Sequence, residues 1–301
     1  SQAVRWSTPE AYDTPGAPPN GADFVRLRDA RGRFLTADDL RTLGFHGART
    51  LPAAPVEWTV DGHPPGRGRN AALYPGTGNV LDRSIVRPLA VPAGRPTLSF
   101  DTTWSTETGF DSGFVQISTD GGKTYTSLVN ADTTTDLDPS ADPALKENVP
   151  GFNGKGGWTN EVFDLSRYAG RSVLLAFRYI SDANTNGRGW WIDNVKVNDT
   201  VVSDGSSLSG WRTRTQVRPT PVAGFTVQLV AIRADGSRVW TSELPLTSAF
   251  SGTFGTRQLR RRLGGSAGLV GALVTYDDPR EQTTQYARYT LTANGVVQPG
   301  G

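Results

Sequence analysis

Apolar and polar residues alternate in short runs along most of this chain, and alternation with a period of two predicts β-strands that bury one face. In the first two thirds of the chain, the predicted strands are residues 97–101, 113–118, 124–128, 159–165, 172–181 and 189–197. Turn-forming residues separate these runs at intervals of roughly 8–12 residues, a spacing typical of β-sandwiches. The pattern therefore predicts an all-β fold.

A second group of strands follows a polar junction at residues 199–211. The predicted strands are residues 225–232, 237–240, 269–276 and 286–293. The pair Asp235-Gly236 lies between the first two of these, and an Asp-Gly pair is a strong signal for a β-hairpin because it tolerates the positive φ of such turns. The C-terminal third is therefore expected to form a second, smaller β-sandwich.

Three further segments show little strand periodicity. Residues 1–22 are rich in proline and predict an extended arm, followed by a short strand at 23–28. Residues 36–43 predict a short helix with Thr36 as its N-cap. Residues 130–157 are rich in Asp, Thr, Pro, Gly and Asn, and they predict a long loop between two strands of the first sandwich.

Composition narrows the class of protein. The 301 residues are 36% hydrophobic and 20% charged, which is sufficient for a packed core. The net charge of +2 comes from interleaved acids and bases without a basic stripe, so no nucleic-acid partner is expected. No apolar run reaches about 18 residues, so no membrane span is expected. The chain has no Cys, and its polar texture favours an exported, extracellular protein.

An ordered series of motifs between residues 56 and 198 resembles a known family. The motifs include GFDSGFVQISTDGGKTY at 109–125, FDLSRYAG at 163–170 and GWWIDNV at 189–195. In this order they resemble the MAM-like jelly-roll region that follows the catalytic domain in bacterial immune inhibitor A metallopeptidases. Residues 201–301 also resemble the C-terminal sandwich of actinobacterial members of that family.

The resemblance implies a division of the chain and a function. We expect an extended N-terminal arm with a short strand over residues 1–40, a MAM-like jelly-roll β-sandwich over 41–200 and a C-terminal β-sandwich over 201–301. The implied function is a non-catalytic accessory or binding region of an exported metallopeptidase. Its expected partner is a protein, either the catalytic domain of the same precursor or a protein substrate. The alternative is a secreted carbohydrate- or cell-surface-binding module.

The chemistry of that family requires H-E-x-x-H on a helix, where two His one turn apart bind zinc. This sequence contains two His, His46 and His63, and no such motif. We therefore expect neither zinc nor catalytic activity in this chain. Residues 264–268 match the G-x-S-x-G of hydrolases, but no His follows them, so a glycine turn between strands is the expected structure.

Residues 118–125 (STDGGKTY) match the S-x-D-x-G-x-T-aromatic pattern of an Asp box. In such a turn the Asp carboxylate accepts hydrogen bonds from main-chain N–H groups, and glycine adopts a positive φ. The pattern stabilises hairpins wherever it occurs. We therefore expect Asp120 to have a structural role.

Three carboxylates are candidates for a calcium site. Glu107, Asp111 and Asp193 lie in or beside predicted strands, and Ca²⁺ takes roughly six to eight oxygen ligands from Asp, Glu and main-chain carbonyl groups. A calcium site at the edge of the jelly roll is therefore one interpretation. The other is that each residue is a solvated carboxylate or a turn cap.

Aromatic residues are candidates for a carbohydrate-binding surface. Trp190 and Trp191 are neighbours on a predicted strand, so their side chains point to opposite faces. One of them is expected in the core and the other outward, where an exposed ring can stack on a sugar. The alternative is that both belong to the core, as most large aromatic residues in a sandwich do.

Overall fold

The computed structural model describes residues 14–263, 267–279 and 285–301. The chain divides into two compact units. The central unit comprises Ala53–Arg218. The split unit comprises the residues up to Pro52 together with those from Pro219 onward.

The described strands are β1 (Ala22–Arg26), β2 (Leu43–Gly47), β3 (Thr59–Asp61), β4 (Ala72–Tyr74), β5 (Asp82–Ala90), β6 (Thr97–Ser105), β7 (Ser112–Ser118), β8 (Thr126–Ser127), β9 (Lys155–Asp164), β10 (Ser172–Ile180), β11 (Gly189–Val197), β12 (Thr200–Ser203), β13 (Gly224–Arg233), β14 (Val239–Glu243), β15 (Ser251–Phe254), β16 (Ala267–Asp277), β17 (Tyr289–Ala293) and β18 (Val296–Val297). The described helices are α1 (Pro143–Lys146), α2 (Arg214–Val217) and α3 (Thr256–Leu263), with a 3₁₀ turn at Ser166–Tyr168. Within these described ranges, no helix has the length and apolar character needed to cross a membrane.

Two antiparallel sheets form the central unit. One sheet has the strand order β5-β10-β7-β8, and the other has the order β3-β4-β11-β6-β9 with β12 paired to β11. Aromatic side chains from the two sheets meet between them. The ring of Phe177 on β10 lies 5.2 Å from that of Phe100 on β6 and 5.7 Å from that of Trp190 on β11. Each such aromatic pair contributes about 0.5–1.5 kcal/mol beyond the burial of its apolar area. The predicted all-β sandwich is confirmed.

The split unit is a second pair of antiparallel sheets, with the orders β1-β16-β13-β14 and β15-β2-β17-β18. On β13, alternate residues from Phe225 to Ala231 are buried, as the period-two pattern predicts. Phe45 on β2 packs its ring 5.3 Å from that of Phe225 on β13, so the two sheets share one core. The hairpin predicted around Asp235-Gly236 is present as the antiparallel pair β13–β14.

The division of the chain differs from the predicted one at both boundaries. Of the arm predicted at residues 1–40, the described part (14–40) is not separate, because β1 pairs with β16 in antiparallel register, with Ala22 opposite Thr275. β2 lies between β15 and β17 in the other sheet. Strands β1 and β2, which precede the central unit, therefore complete the sandwich formed by the strands that follow it. A local pattern could not indicate pairing across such a distance in the chain.

The helix predicted at residues 36–43 is absent, and a turn occupies its place. The Asp39 carboxylate accepts hydrogen bonds from the main-chain N–H and the hydroxyl of Thr36, at 3.0 and 2.7 Å. The side-chain oxygen of Asn294 accepts from the N–H groups of Arg41 and Thr42, at 2.6 and 3.0 Å. The contacts with Asn294, which is far away in sequence, satisfy main-chain N–H groups that a helix would have used within itself. The chain then continues directly into β2.

The segment 130–157 is more ordered than the loop predicted there. It contains α1, where the Asp142 carboxylate caps the helix by accepting from the N–H of Ala144 at 2.7 Å. Leu145 on α1 is fully buried in a small cluster with Phe114 and Ile180. The prediction that this segment supports no regular structure was wrong, because its few apolar residues find partners on β7 and β10.

Candidate functional site

Three carboxylates meet at one edge of the central unit. One oxygen each from Glu107, Asp111 and Asp182 lies within 4.8 Å of the other two. Glu107 follows β6, Asp111 immediately precedes β7, and Asp182 follows β10. Because β7 and β10 are antiparallel neighbours, with Ser112 opposite Ile180, the start of one strand lies beside the end of the other. The structure thus brings together two of the predicted calcium ligands.

Asp182 was missed by the sequence prediction, although a signal for it was present. The strand predicted at 172–181 ends one residue before Asp182. Pairing this strand antiparallel with the one at 113–118 places Asp182 beside Asp111. The pairing itself was not predicted, so the third carboxylate was not identified.

Hydrogen bonds hold the Asp111 carboxylate in place. Its Oδ1 accepts from the main-chain N–H of Asp182 at 3.1 Å. Its Oδ2 accepts from the hydroxyl of Tyr179 and from the main-chain N–H of Glu107, both at 3.4 Å. The two contacts at 3.4 Å are long for hydrogen bonds, so this oxygen is weakly satisfied.

The electrostatic environment of Asp111 disfavours its charge. Its side chain is completely buried. Burial raises the pKa of the Asp111 carboxyl to about 6, with the charges of Asp182 and Glu107 adding to the rise and main-chain hydrogen bonds opposing it. Burial also raises the pKa of the Tyr179 hydroxyl, and the adjacent Asp111 charge raises it further. Three acidic groups at this distance repel one another unless a proton or a cation lies among them.

The residues of this cluster fit a hard divalent cation such as Ca²⁺. All three side chains offer oxygen, which is the donor that Ca²⁺ prefers. The Oε2 atom of Glu107 is buried and has no hydrogen-bond partner. Leaving a buried charged oxygen unsatisfied costs more than the about 1–3 kcal/mol of a neutral group. A bound cation would remove that cost, and Glu107, Asp111 and Asp182 would hold it.

Asp193, the third predicted ligand, lies outside this cluster, and its inclusion there was wrong. Its Oδ2 accepts from the side-chain amide of Asn70 at 2.7 Å and lies 3.5 Å from a guanidinium nitrogen of Arg67. Its Oδ1 accepts from the main-chain N–H of Asn194 at 2.7 Å. Protein side chains and main chain therefore already occupy both carboxylate oxygens, although burial raises the pKa of the Asp193 carboxyl against the opposing effect of Arg67.

The two tryptophans that were candidates for a carbohydrate-binding surface do not present free rings. Trp190 is fully buried, and its indole N–H donates to the hydroxyl of Thr102 at 2.8 Å. Trp191 points to the opposite face but is only 5% exposed. Its ring stacks on Tyr74 with centroids 4.7 Å apart, and its indole N–H donates to Asp61 at 2.8 Å. Of the two candidates for a carbohydrate-binding surface, Trp190 is excluded because it belongs to the core between the sheets.

The Asp-box turn has the predicted geometry. Asp120 accepts from the main-chain N–H groups of Lys123 and Thr124, at 2.9 and 3.0 Å, and Gly121 and Gly122 have φ of 73° and 86°. The pKa of the Asp120 carboxyl lies well below its usual range, mainly because of the hydrogen bonds from Thr124. The residue caps a turn.

The remaining motifs form no site in the part of the chain that is described. His46 in the split unit shares a hydrogen bond of 2.7 Å with the hydroxyl of Ser251. His63 in the central unit donates its main-chain N–H to Asp61 at 2.9 Å. The G-x-S-x-G motif at 264–268 lies largely outside the described residues.

Comparison with known proteins agrees with this fold. The family model of the immune inhibitor A-like MAM domain matches residues 53–209. The Pre-pro-metalloprotease PrtV of Vibrio cholerae serotype O1 is 32% identical over 168 residues, which cover 54% of this chain and 17% of that protein. Bacillopeptidase F of Bacillus subtilis is 27% identical over 152 residues, which cover 48% of this chain and 9% of that protein. The chain thus spans less than a fifth of the length of these relatives.

The two-sheet sandwich of the central unit defines a MAM-like domain, and the matched residues coincide closely with that unit. Because the family model matches more than half of the chain, the chain belongs to the immune inhibitor A-like MAM domain family. The resemblance inferred from the ordered motifs is confirmed.

Proposed function

We propose that this chain is a non-catalytic accessory region of an exported bacterial protease precursor, and that Ca²⁺ stabilises its MAM-like domain. The observation that carries the calcium proposal is the meeting of Glu107, Asp111 and Asp182 around a buried carboxylate oxygen that has no partner. The accessory role is supported by the family match, and by relatives whose names designate proteases and which match about half of the chain.

Calcium would act on stability and on the arrangement of two segments. Its ligands come from the connection between β6 and β7 and from the segment after β10, so one cation would join segments that are far apart in sequence. The chemistry that Ca²⁺ supplies is charge neutralisation among acidic oxygens. The chain's own part is to position those oxygens at the edge of two paired strands.

Calorimetric titration and thermal unfolding test the calcium proposal. In the presence of Ca²⁺ at about a hundredfold excess over Kd, the folded state gains about 2.7 kcal/mol, and the melting temperature should rise by about 5–10 °C for a domain of this size. Glu107→Gln should abolish both the heat of binding and the shift. Asp199→Asn, an exposed carboxylate outside the cluster, should leave both unchanged. Identical unfolding in chelator and in millimolar Ca²⁺ would refute the proposal.

The absence of catalysis is tested on the isolated chain. Its sequence has no H-E-x-x-H pair to hold a zinc ion. Protein produced in a protease-free host should therefore not cleave casein, with or without added zinc. Chelator-sensitive cleavage by that preparation would contradict the accessory role. The expected role is instead contact with protein, either the catalytic domain of the precursor or its substrate.

A further inference from the structure

A shallow trough crosses the end of the sheet that contains β11, β6 and β9. It consists of two adjoining basins of about 340 and 430 Å³, which share Ser105, Lys155 and Arg188. Ser105 on β6 is paired with Lys155 on one side and with Gly189 on the other. The trough therefore runs across three neighbouring strands, and every residue that lines it belongs to the central unit.

Two cations line the trough without an ion-pair partner. Lys155 and Arg188 are both exposed, and neither has a carboxylate of the described residues within 4.0 Å. The central unit as a whole has 16 Lys and Arg against 18 Asp and Glu, a net charge of −2. The net charge of the unit opposes anion binding in general, so the local pair of cations without carboxylate partners marks this place as the one that favours an anionic ligand.

The backbones that carry these cations are held in place. Lys155 is the first residue of β9. The carbonyl group of Arg188 accepts from the hydroxyl of Tyr74 at 2.9 Å, and that of Gly187 accepts from the hydroxyl of Thr77 at 2.8 Å. Two strand spacings separate the attachment points, about 10 Å. One turn of a polyproline II segment, three residues with a rise of about 3.1 Å each, spans nearly the same distance and puts residues i and i+3 on one face.

The floor of the trough favours a peptide over a sugar. Trp104 and Trp191 line it but are only 8% and 5% exposed, so neither offers a ring face to a pyranose. The open space of the trough lies above the main chain at Gly157, where an added Cβ would meet no heavy atom within 4 Å. The pairing of β6 with β9 shifts register between Thr102 and Trp104, and such bulges occur preferentially beside functional sites.

We propose that this trough binds an acidic peptide segment of a partner protein, with two carboxylates about three residues apart meeting Lys155 and Arg188. The inference rests on the proposed function in one respect, namely that the domain contacts protein. It adds the chemical class of the contacted segment and the place where it binds. Glu107 also lines one basin, so the charged residues of the lining, Lys155, Arg188 and Glu107, give it a net charge of +1.

Fluorescence anisotropy on the full chain tests the inference with a labelled decapeptide that has Glu at every third position and Gly or Ser elsewhere. The same peptide with Gln in place of Glu is the ligand control. Lys155→Glu and Arg188→Glu should each weaken binding about tenfold, because an attraction becomes a repulsion. Lys123→Glu reverses an equally exposed cation outside the trough and should leave binding unchanged. Gly157→Phe, which fills the open space, should also weaken binding.

Three results would overturn the inference: equal binding of the Glu and Gln peptides, equal weakening by Lys123→Glu, or preferential binding of polygalacturonate, an acidic polysaccharide. Melting temperatures of all variants establish that each one is folded. A calcium titration of the same samples reports on the proposed function separately. Loss of the calcium effect with retained peptide binding would refute only the calcium proposal, and retained calcium binding without peptide binding would refute only the trough.

Discussion

The main-chain N–H of Asp182 donates a hydrogen bond of 3.1 Å to Oδ1 of Asp111. This bond joins the residue before β7 to the residues after β10, at the edge where the third carboxylate, Glu107, also lies. The hydrogen bond needs only an acceptor oxygen on residue 111, whether or not the side chain is charged. Binding of a cation also needs the negative charge of the Asp111 carboxylate. The two roles of Asp111 can therefore be separated by a substitution that keeps the oxygen.

Asp111→Asn should change the stability of the protein in opposite directions with and without calcium. In chelator at pH 7 the variant should melt a few degrees above the wild type, because it removes a buried charge that its neighbours repel. In millimolar Ca²⁺ it should melt below the wild type, because it has lost a ligand. Differential scanning calorimetry in the two buffers measures both effects. The same order of melting temperatures in both buffers would contradict the calcium site.

The Asp23 carboxyl should give the split unit a pH-dependent stability. Its Oδ2 accepts from the hydroxyl of Tyr289 at 2.7 Å, its Oδ1 is buried without a partner, and burial raises its pKa to about 6 although that hydrogen bond opposes the rise. In the unfolded chain the pKa is about 3.9. The folded state therefore retains a proton between about pH 4 and pH 6 that the unfolded chain has released, so this contribution to stability falls as pH rises through that window.

Asp23→Asn should remove this decline, which amounts to at most about 3 kcal/mol for a shift of two pKa units. Urea unfolding between about pH 4 and pH 7 measures it as the difference between wild type and variant. Asp277→Asn changes an exposed carboxylate of the same unit and should leave the pH dependence intact. A difference between Asp23→Asn and wild type that does not vary with pH would show that Asp23 does not titrate in this range.

Leu145 should be a stability determinant of the central unit, although it lies in the segment predicted as a loop. Its side chain is fully buried against Phe114 and Ile180. Leu145→Ala should lower the free energy of unfolding by about 2–5 kcal/mol. Val129→Ala, at a position that is 71% exposed, should change it by less than about 0.5 kcal/mol. Equal effects of the two substitutions in urea unfolding would show that the segment is not packed.

The split unit should not fold from its C-terminal residues alone. β2 lies between β15 and β17, so its removal divides one sheet, and Phe45 on β2 contributes to the shared core. A fragment of residues 219–301 should give the poorly dispersed amide spectrum of an unfolded chain, whereas residues 53–218 should give a dispersed one. Amide NMR spectra of the two fragments decide this. A dispersed spectrum of the 219–301 fragment would contradict the discontinuous unit.

The sequence by itself determined the fold class and the family. Alternation in segments such as 97–101 and 225–232 predicts strands because a half-buried strand needs an apolar residue at every second position. The Asp-box turn was predicted from its residues because its hydrogen bonds join residues within four positions of each other. Glu107 and Asp111 were recognised as candidate ligands because they are acidic residues beside strands predicted in the jelly-roll region.

Only the tertiary structure decided which distant residues meet. Asp182 joins Glu107 and Asp111 because β7 and β10 pair, whereas β11 places the Asp193 carboxylate beside Asn70 and Arg67, outside the cluster. Strand β1 pairs with β16 almost the whole length of the chain away, a pairing no local pattern specifies. Burial and hydrogen-bond partners depend on such long-range pairing, whereas strand propensity depends on nearest neighbours in sequence. Strands could therefore be predicted from the residues, and the site and the true boundaries of the units could not.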